Sequence, residues 1–235
     1  MNIDFLSTPS YKCIKIFIND IVSSIQKDKQ IENNNIINIL ENIYNIIHSV
    51  PLSNEKGRYA NPNSKDVFNK ILEVDVTSFF DFNINSTLDI NNLLELNKYL
   101  HSSFGNSKRL DYGTGHELNF LCFCYVAYKS NILSINEIYL VFKQYWRISK
   151  YFINKFNLEP AGSKGSWSLD DYQLLPFVFG VAENGDFFHN LRLINKSVVL
   201  LQLRNIDDYI KMYDREVLRR HVVTKSFIYG KYLIQ

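Results

Sequence analysis

A stretch rich in glycine and charged side chains, residues 103–117, contains the strongest candidates for binding an anion. Gly113 and Gly115 bracket Thr114 immediately before an apolar run that we expect to be a helix. Glycines let backbone N–H groups approach a ligand closely, and a helix N-terminus carries partial positive charge, so together they suit a phosphate. Thr114 could add a hydroxyl donor and Arg109 a charged, bidentate donor. The alternative is a tight turn in which Thr114 caps the helix, because Gly-x-Gly alone is a weak signal.

His116 and Glu117 follow this turn and raise the question of a metal or acid–base site. No second histidine is near in sequence and the others are scattered, so a zinc site is not expected. We favour a structural role, in which His116 hydrogen-bonds within the helix start and Glu117 complements the helix dipole. Asp111, just before the helix, fits an Asx-type turn.

A second glycine-containing stretch spans residues 159–171 and ends in two adjacent aspartates, Asp170 and Asp171. These carboxylates either cap the following helix or hold a hard cation such as Mg²⁺, which takes one or two protein oxygens besides water and phosphate. Trp167 is equally compatible with an exposed recognition aromatic and with simple packing. The serines of this stretch have no adjacent histidine, so covalent catalysis is not expected.

The rest of the chain must position these two stretches, and its apolar spacing predicts helices. Helices are expected over 11–22, 31–47, 93–100, 116–129, 134–156, 168–179 and 206–219, and another begins within 67–71. Pro51 ends the second of them, and Ser134 with Glu137 three residues on forms a capping box. No alternating pattern of useful length predicts strands, so the sequence predicts an all-α fold.

Composition narrows the class of protein. With 235 residues the chain forms one compact domain by length, able to bury roughly 70% of its unfolded surface. A net charge of +2 gives no electrostatic reason to bind nucleic acid or an anionic membrane. Asp4 and Pro9 argue against a secretory leader, and no stretch of 18 apolar residues exists, so no membrane span is expected. Cys122 and Cys124 fit reduced core thiols, which favours the cytosol, with the nucleus as an alternative.

The two glycine-containing stretches together resemble a known family. Residues 104–117, Phe-Gly-Asn-Ser-Lys-Arg-Leu-Asp-Tyr-Gly-Thr-Gly-His-Glu, strongly resemble the first signature of the phosphotyrosyl phosphatase activator family, the activators of type 2A serine/threonine phosphatases. Residues 159–177 are similar to the second signature, in the same order and spacing. Weaker similarity extends to residues 11–17, 50–61 and 211–218.

The resemblance implies one domain over residues 1–235, an all-helical fold of core, linker and lid parts. It implies that the protein binds the phosphatase catalytic subunit and its scaffold. It also implies that the protein helps the catalytic subunit to reach its active, metal-loaded state. It also implies use of ATP with Mg²⁺ and peptidyl-prolyl cis/trans isomerase activity on proline-containing peptides. Two alternatives remain: a non-enzymatic phosphatase-binding adaptor, and a nucleotide-dependent enzyme of another kind.

The resemblance assigns residues as well, although it gives no catalytic residue. The positions assigned to ATP are Arg109, Thr114, Gly115, Val223, Thr224 and Lys225, and those assigned to Mg²⁺ are Gly165 and Asp171. The positions assigned to the partner or peptide are Asp111, Tyr112, Gly113, His116, Glu117, Glu159, Gly162, Trp167 and Asp170. The chain is shorter than the family pattern around 181–208, which trims part of the lid or linker, and Ile228 stands where the family favours a nucleotide-contacting lysine. We therefore expect a reduced family member with weaker isomerase activity.

Overall fold

Seven α-helices dominate the part of the chain that the structure, a computed structural model, describes: residues 8–25, 34–55, 57, 60–79, 90–161, 172–173 and 175–184. The helices are α1 (Pro9–Ser24), α2 (Asn35–Ser49), α3 (Ser64–Leu72), α4 (Ile90–His101), α5 (Thr114–Lys129), α6 (Ile135–Phe156) and α7 (Leu175–Asn184). Besides them there are a 3₁₀ turn, Val76–Phe79, and two short strands, β1 (Asp111–Tyr112) and β2 (Glu159–Pro160). The mostly helical class is confirmed, and no helix within the described ranges has the length and apolar character to cross a bilayer.

The first two helices bury the apolar faces that the sequence predicts. In α1 the buried face includes Phe17, Ile18 and Ile21, with Ile14 partly buried against the core. In α2 every apolar residue at the expected spacing is buried, namely Ile36, Ile39, Leu40, Ile43 and Ile47. The N-cap of α2 is Asn34, whose side chain accepts from the Ile36 N–H at 2.8 Å, and the helix ends before Pro51 as predicted.

Aromatic rings fill the space between α5, α6 and α7. Phe120 of α5 stacks on Tyr145 of α6 with 3.8 Å between ring centroids. The edge of Phe142 meets Phe120 at 5.1 Å, and Phe179 of α7 meets Phe142 at 5.5 Å. This core makes α5 a buried helix, as its apolar sequence predicts, and gives the two glycine-containing stretches a rigid base.

Burial also explains the two cysteines of α5. Cys124 is fully buried and Cys122 is partly buried, and both thiols are free. Burial raises the pKa of Cys122 to about 11 and moves the pKa of Cys124 in the same direction. At neutral pH both are therefore protonated, unreactive core thiols.

The ends of α6 follow the predicted signals. The Glu137 carboxylate accepts from the Ser134 N–H at 2.8 Å, which confirms the capping box, and the helix ends at Phe156 as expected. Asn157 then takes a left-handed conformation, with φ 52°, that terminates the helix. The longest described helix is α6, and α1, α2 and α5 all pack along it.

Several predicted helix boundaries are wrong; α2, for example, begins at Asn35 and not at residue 31. The helix after the second glycine-containing stretch begins at Leu175, not within 168–171, and continues through Gly180 to Asn184. Tyr172 and Gln173 remain outside it because their side chains form hydrogen bonds with Leu158 and Tyr112. Pro176 favours this start because proline is well suited to the first turn of a helix. Similarly, α3 begins at Ser64, earlier than predicted. The helix predicted at 206–219 lies outside the described residues.

The parallel helices α2 and α6 are joined at both ends by polar contacts. Asn34 donates from Nδ2 to Glu137 Oε1 at 3.1 Å where the two helices begin. At the other end, Lys155 Nζ donates to the carbonyl oxygens of Ile47, His48 and Val50 at 2.9, 2.9 and 2.8 Å. The Lys155 ammonium group thus donates hydrogen bonds to carbonyl groups at the C-terminal end of α2. The last carbonyls of a helix need such an outside donor because no N–H group of the same helix reaches them.

Replacing Lys155 tests this contact. Lys155→Met keeps most of the aliphatic stem and removes all three hydrogen bonds, so the free energy of unfolding should fall by about 1–3 kcal/mol. Urea denaturation measures the change. Arg147→Met, an exposed position on the same helix, is the control and should remain within about 0.5 kcal/mol of the wild type. Equal losses in the two variants would contradict the assignment.

Candidate functional site

The start of α5 is open to solvent at the glycine turn. Gly113 is the N-cap, and its carbonyl accepts from the His116 and Glu117 N–H groups at 2.9 and 3.3 Å. Thr114 is therefore the first helical residue and does not cap the helix, so the simple capping interpretation is wrong. A Cβ added to Gly115 would meet no atom of the described residues within 4 Å. The first turn of α5 is thus exposed at Gly115, and the start of a helix is a favourable place for an anion.

Gly113 is required for a different reason. Its backbone is extended, with φ −170°, but a Cβ there would lie 2.5 Å from the Ala161 carbonyl oxygen. The second glycine-containing stretch therefore begins in direct contact with the first.

A turn anchored by Asn106 presents Arg109. The Asn106 Oδ1 accepts from the Lys108 and Arg109 N–H groups at 3.0 Å each, and Leu110 takes a left-handed φ of 55° as the turn closes. The Asx-type residue is therefore Asn106, not Asp111 as predicted. The Arg109 side chain remains 64% exposed, and its Nε donates to Asp111 Oδ2 at 2.7 Å.

Asp111 connects Arg109 to His116. His116 Nδ1 lies 2.7 Å from the Ser102 carbonyl oxygen, which can only accept, so Nδ1 carries a proton and Nε2 faces Asp111 Oδ1 at 3.8 Å. His116 therefore bonds to the end of α4, not within its own helix start. Burial raises the pKa of Asp111, but hydrogen bonds and charge from His116 and Arg109 lower it by more, so the net pKa is below the ordinary value. The carboxylate stays ionised and orients the guanidinium.

A parallel ladder joins the two stretches. β1 pairs with β2 in the register Asp111 to Glu159 and Tyr112 to Pro160. The Glu159 N–H donates to the Leu110 carbonyl at 3.1 Å, and the Ala161 N–H donates to the Tyr112 carbonyl at 2.7 Å. Strands of two residues are too short for an alternating pattern, which is why the sequence does not predict them.

The Glu117 side chain is fully buried and acts inside the protein. Its Oε1 accepts from Trp146 Nε1 at 2.9 Å, and its Oε2 accepts from the Leu175 N–H at 3.1 Å. The carboxylate thus lies at the N-terminus of α7, where negative charge is favoured. In this conformation Glu117 joins α5, α6 and α7, and its side chain offers nothing to a partner.

The structure separates the assigned residues into exposed and supporting groups. Arg109, Thr114, Gly115 and Glu159 reach solvent to different degrees, whereas Asp111, Tyr112, Gly113 and Glu117 are buried beneath them. Outside the described residues lie Gly162, Gly165, Trp167, Asp170, Asp171, Val223, Thr224, Lys225 and Ile228. Within the described ranges no three His, Cys, Asp or Glu side chains form a metal-binding group.

The sequence gives no site role to Tyr145, Trp146 or Gln173. Their buried side chains form hydrogen bonds with Tyr112 and Glu117 and so support the site. Gln173 stands in the second signature, so the resemblance contained a signal for it. Tyr145 and Trp146 belong to the apolar face of α6, where a hydrogen-bonding role leaves no trace in the spacing.

A mostly helical fold of this kind is also found among solved protein structures. The structure matches the crystal structure of the PP2A phosphatase activator Ypa1 with a TM-score of 0.60 and 25% identity, over 73% of this chain and 56% of that chain. A sequence model of the family described as "Phosphotyrosyl phosphate activator (PTPA) protein" matches residues 2–206. The chain belongs to this family.

Individual relatives agree. A serine/threonine-protein phosphatase 2A activator from Encephalitozoon cuniculi is 38% identical, and the alignment covers 98% of this chain and 94% of that protein. A serine/threonine-protein phosphatase 2A activator 2 from Saccharomyces cerevisiae is 30% identical, over 85% of this chain and 68% of its own length. The resemblance expected from the two signatures is therefore confirmed.

The two glycines of the turn make a matched pair of substitutions. Gly113→Ala sets a methyl against the Ala161 backbone, which cannot yield without breaking the ladder, so unfolding should become easier by about 1–3 kcal/mol. Gly115→Ala adds a methyl in open space and should leave stability unchanged or raise it by about 0.5–1 kcal/mol. Thermal denaturation compares the two. If Gly113→Ala proves as stable as Gly115→Ala, the close approach of the two stretches is wrong.

Proposed function

We propose that the protein activates and chaperones the catalytic subunit of a type 2A serine/threonine phosphatase, that it does so with ATP and Mg²⁺, and that it isomerises X–Pro bonds. Family membership and the names of the relatives support the phosphatase as partner. The observation that carries the nucleotide part is the open helix start at Gly115 with an exposed, carboxylate-oriented guanidinium a few residues away.

The described residues fit a phosphate group. Gly115, in the first turn of α5, is exposed, and Thr114 does not cap the helix, so both residues are available to a phosphate at this helix start. The Arg109 ion pair to Asp111 uses Nε, so the terminal nitrogens are not committed to that contact. In the proposal Arg109, Thr114 and Gly115 hold phosphate oxygens, and Val223, Thr224 and Lys225 contact the nucleotide by resemblance. Bound ATP would supply phosphate oxygens that can share a divalent cation.

The Mg²⁺ and partner assignments rest on the family resemblance. Gly165 and Asp171 are the proposed Mg²⁺ positions, and carboxylate oxygen is the donor that this cation prefers. Glu159, Gly162, Trp167 and Asp170 are proposed to face the phosphatase, its scaffold or a proline-containing peptide. Asp111, Tyr112, Gly113, His116 and Glu117 support this face from within, since their side chains or backbones are engaged in the protein.

Calorimetry with ATP and Mg²⁺, on the free protein and on its complex with the phosphatase catalytic subunit, tests the nucleotide site. Arg109→Ala should weaken ATP binding roughly 10- to 100-fold, because a charge-assisted hydrogen bond is lost. Gly115→Ala should weaken it severalfold without loss of stability, because the methyl enters the space above the amides.

Arg147→Ala, an exposed arginine on α6, controls for the loss of one positive charge and should bind ATP as the wild type does. Equal weakening in Arg109→Ala and Arg147→Ala would show that only net charge matters and would remove the site from the α5 start. A wild type that captures the phosphatase in a pull-down but binds no ATP would favour the non-enzymatic adaptor.

The isomerase part needs a separate assay. An unassisted X–Pro bond exchanges in tens to hundreds of seconds, and a site speeds it by holding the twisted amide away from water. Tyr112, which the resemblance assigns to the partner or peptide, is buried and hydrogen-bonded, so Trp167 is the remaining proposed aromatic contact. The wild type should accelerate isomerisation of a short proline peptide, and Asp171→Ala or Gly165→Ala should reduce that rate. Absence of acceleration in the wild type would leave the chaperone role alone.

A further inference from the structure

Both ring nitrogens of His116 face hydrogen-bond acceptors. Nδ1 lies 2.7 Å from the Ser102 carbonyl oxygen, and Nε2 lies 3.8 Å from Asp111 Oδ1. A neutral imidazole has a single N–H group, so it can satisfy only one of these two acceptors. The acceptor left over is Asp111 Oδ1, which is buried and has no hydrogen-bond partner among the described residues. An imidazolium donates from both nitrogens and therefore fits both neighbours at once.

The elements packed around the His116 ring carry further titratable groups that are engaged in other ways. His101, at the end of α4, lies 2.8 Å from a backbone carbonyl oxygen. The ring of Tyr112 is 5.8 Å from that of His116, and burial raises the pKa of this phenol, so it stays neutral. Glu117 turns its carboxylate into the core. Glu159 of β2 lies across the ladder from β1 and adds negative charge to it.

The charges beside the α5 start cancel while His116 is neutral. Arg109 Nε donates to Asp111 Oδ2 at 2.7 Å, so the guanidinium and the carboxylate form a pair with no net charge. Burial raises the pKa of Asp111, but hydrogen bonds and charge from His116 and Arg109 lower it by more, which keeps the carboxylate ionised. An anion at this helix start therefore meets a carboxylate as well as a guanidinium. A proton on His116 would give the three side chains one net positive charge.

We propose that an anion at the start of α5 binds together with a proton, which His116 Nε2 takes up from the solvent. The inference rests on the proposed function, which places phosphate oxygens of ATP at Arg109, Thr114 and Gly115. The protonated Nε2 donates to Asp111 Oδ1, so Asp111 continues to orient Arg109 while its own charge is balanced. His116 acts through Asp111 and is a positioning residue. When the anion leaves, the proton returns to the solvent.

This coupling makes the affinity for ATP depend on pH in one direction. Imidazole is the side chain that ordinarily titrates between about pH 5 and pH 8. Because the complex holds more proton than the free protein, binding is tighter at low pH and weakens as the pH rises, by at most about tenfold per pH unit for one group. A phosphate monoester loses its second proton near pH 6, which gives the ligand a pH dependence of its own. A variant that lacks the imidazole corrects for that contribution.

The experiment measures the dissociation constant for ATP with Mg²⁺ by calorimetry, at about pH 6 and about pH 8, for the wild type and His116→Gln. Glutamine retains hydrogen-bonding groups but cannot be protonated. The wild-type affinity divided by that of His116→Gln should be about 3- to 30-fold greater at the lower pH. Titrations in buffers with different ionisation enthalpies should show more proton uptake by the wild type. His48→Gln removes a histidine of α2 that hydrogen-bonds to Tyr151, and it should keep the wild-type pH dependence.

A second variant, Asp111→Asn, keeps the ring and removes the carboxylate that receives its proton. It should also take up less proton than the wild type when ATP binds. If the wild type binds ATP but its affinity ratio to His116→Gln is the same at both pH values, or if the two proteins take up equal proton, the coupling is overturned and the nucleotide site stands.

Nuclear magnetic resonance of the free protein gives a readout that does not need nucleotide. The His116 ring signal should titrate at higher pH in the wild type than in Asp111→Asn, because the carboxylate favours the imidazolium. If the wild type binds no ATP at either pH, the proposed function fails, and this comparison alone decides whether the ring and the carboxylate are coupled. Equal titration in the two proteins would overturn the role of His116 whatever the result with ATP.

Discussion

Two backbone hydrogen bonds between β1 and β2 fix how the glycine-containing stretches lie against each other. One joins Glu159 to Leu110 and the other joins Ala161 to Tyr112. Each contributes only about 0.5–1.5 kcal/mol, and so short a ladder would not persist alone. It persists here because β1 leads directly into α5 and β2 closely follows α6, and the rings of these two helices interlock. The rigid helix pair thus determines the geometry of irregular backbone that has little stability of its own.

The buried carboxylate of Glu117 joins the same two helices, α5 and α6, to α7. Removing a charge from water costs several kcal/mol unless hydrogen bonds replace its hydration. Both Glu117 oxygens accept hydrogen bonds, from Trp146 of α6 and from the first amide of α7. The charge is therefore tolerated only while the three helices remain in this relation. A group that binds so specifically defines where α7 begins more sharply than apolar packing would, since apolar contacts accept small shifts.

The parts of this fold with local causes could be predicted from sequence. The spacing of isoleucines gave α1 and α2, the continuous apolar run gave α5, and Ser134 with Glu137 gave the start of α6. The parts that depend on distant residues could not. Because Glu117 follows a histidine at a helix start, the sequence suggests an exposed carboxylate that complements the helix dipole. No neighbouring residue indicates that Trp146 and Leu175 enclose it. The same holds for Tyr112, whose aromatic ring fits a cleft as well as it fits a core.

The three cysteines differ in accessibility in a way that has a practical use. Cys13 on α1 is exposed, while Cys122 and Cys124 are shielded inside α5 and have raised pKa values. A maleimide or similar thiol reagent near neutral pH should therefore react at one position in the native protein. Since α1 packs against both α6 and α7, a fluorophore or spin label placed there would report on the two helices that enclose the Glu117 carboxylate, without any cysteine having to be removed first.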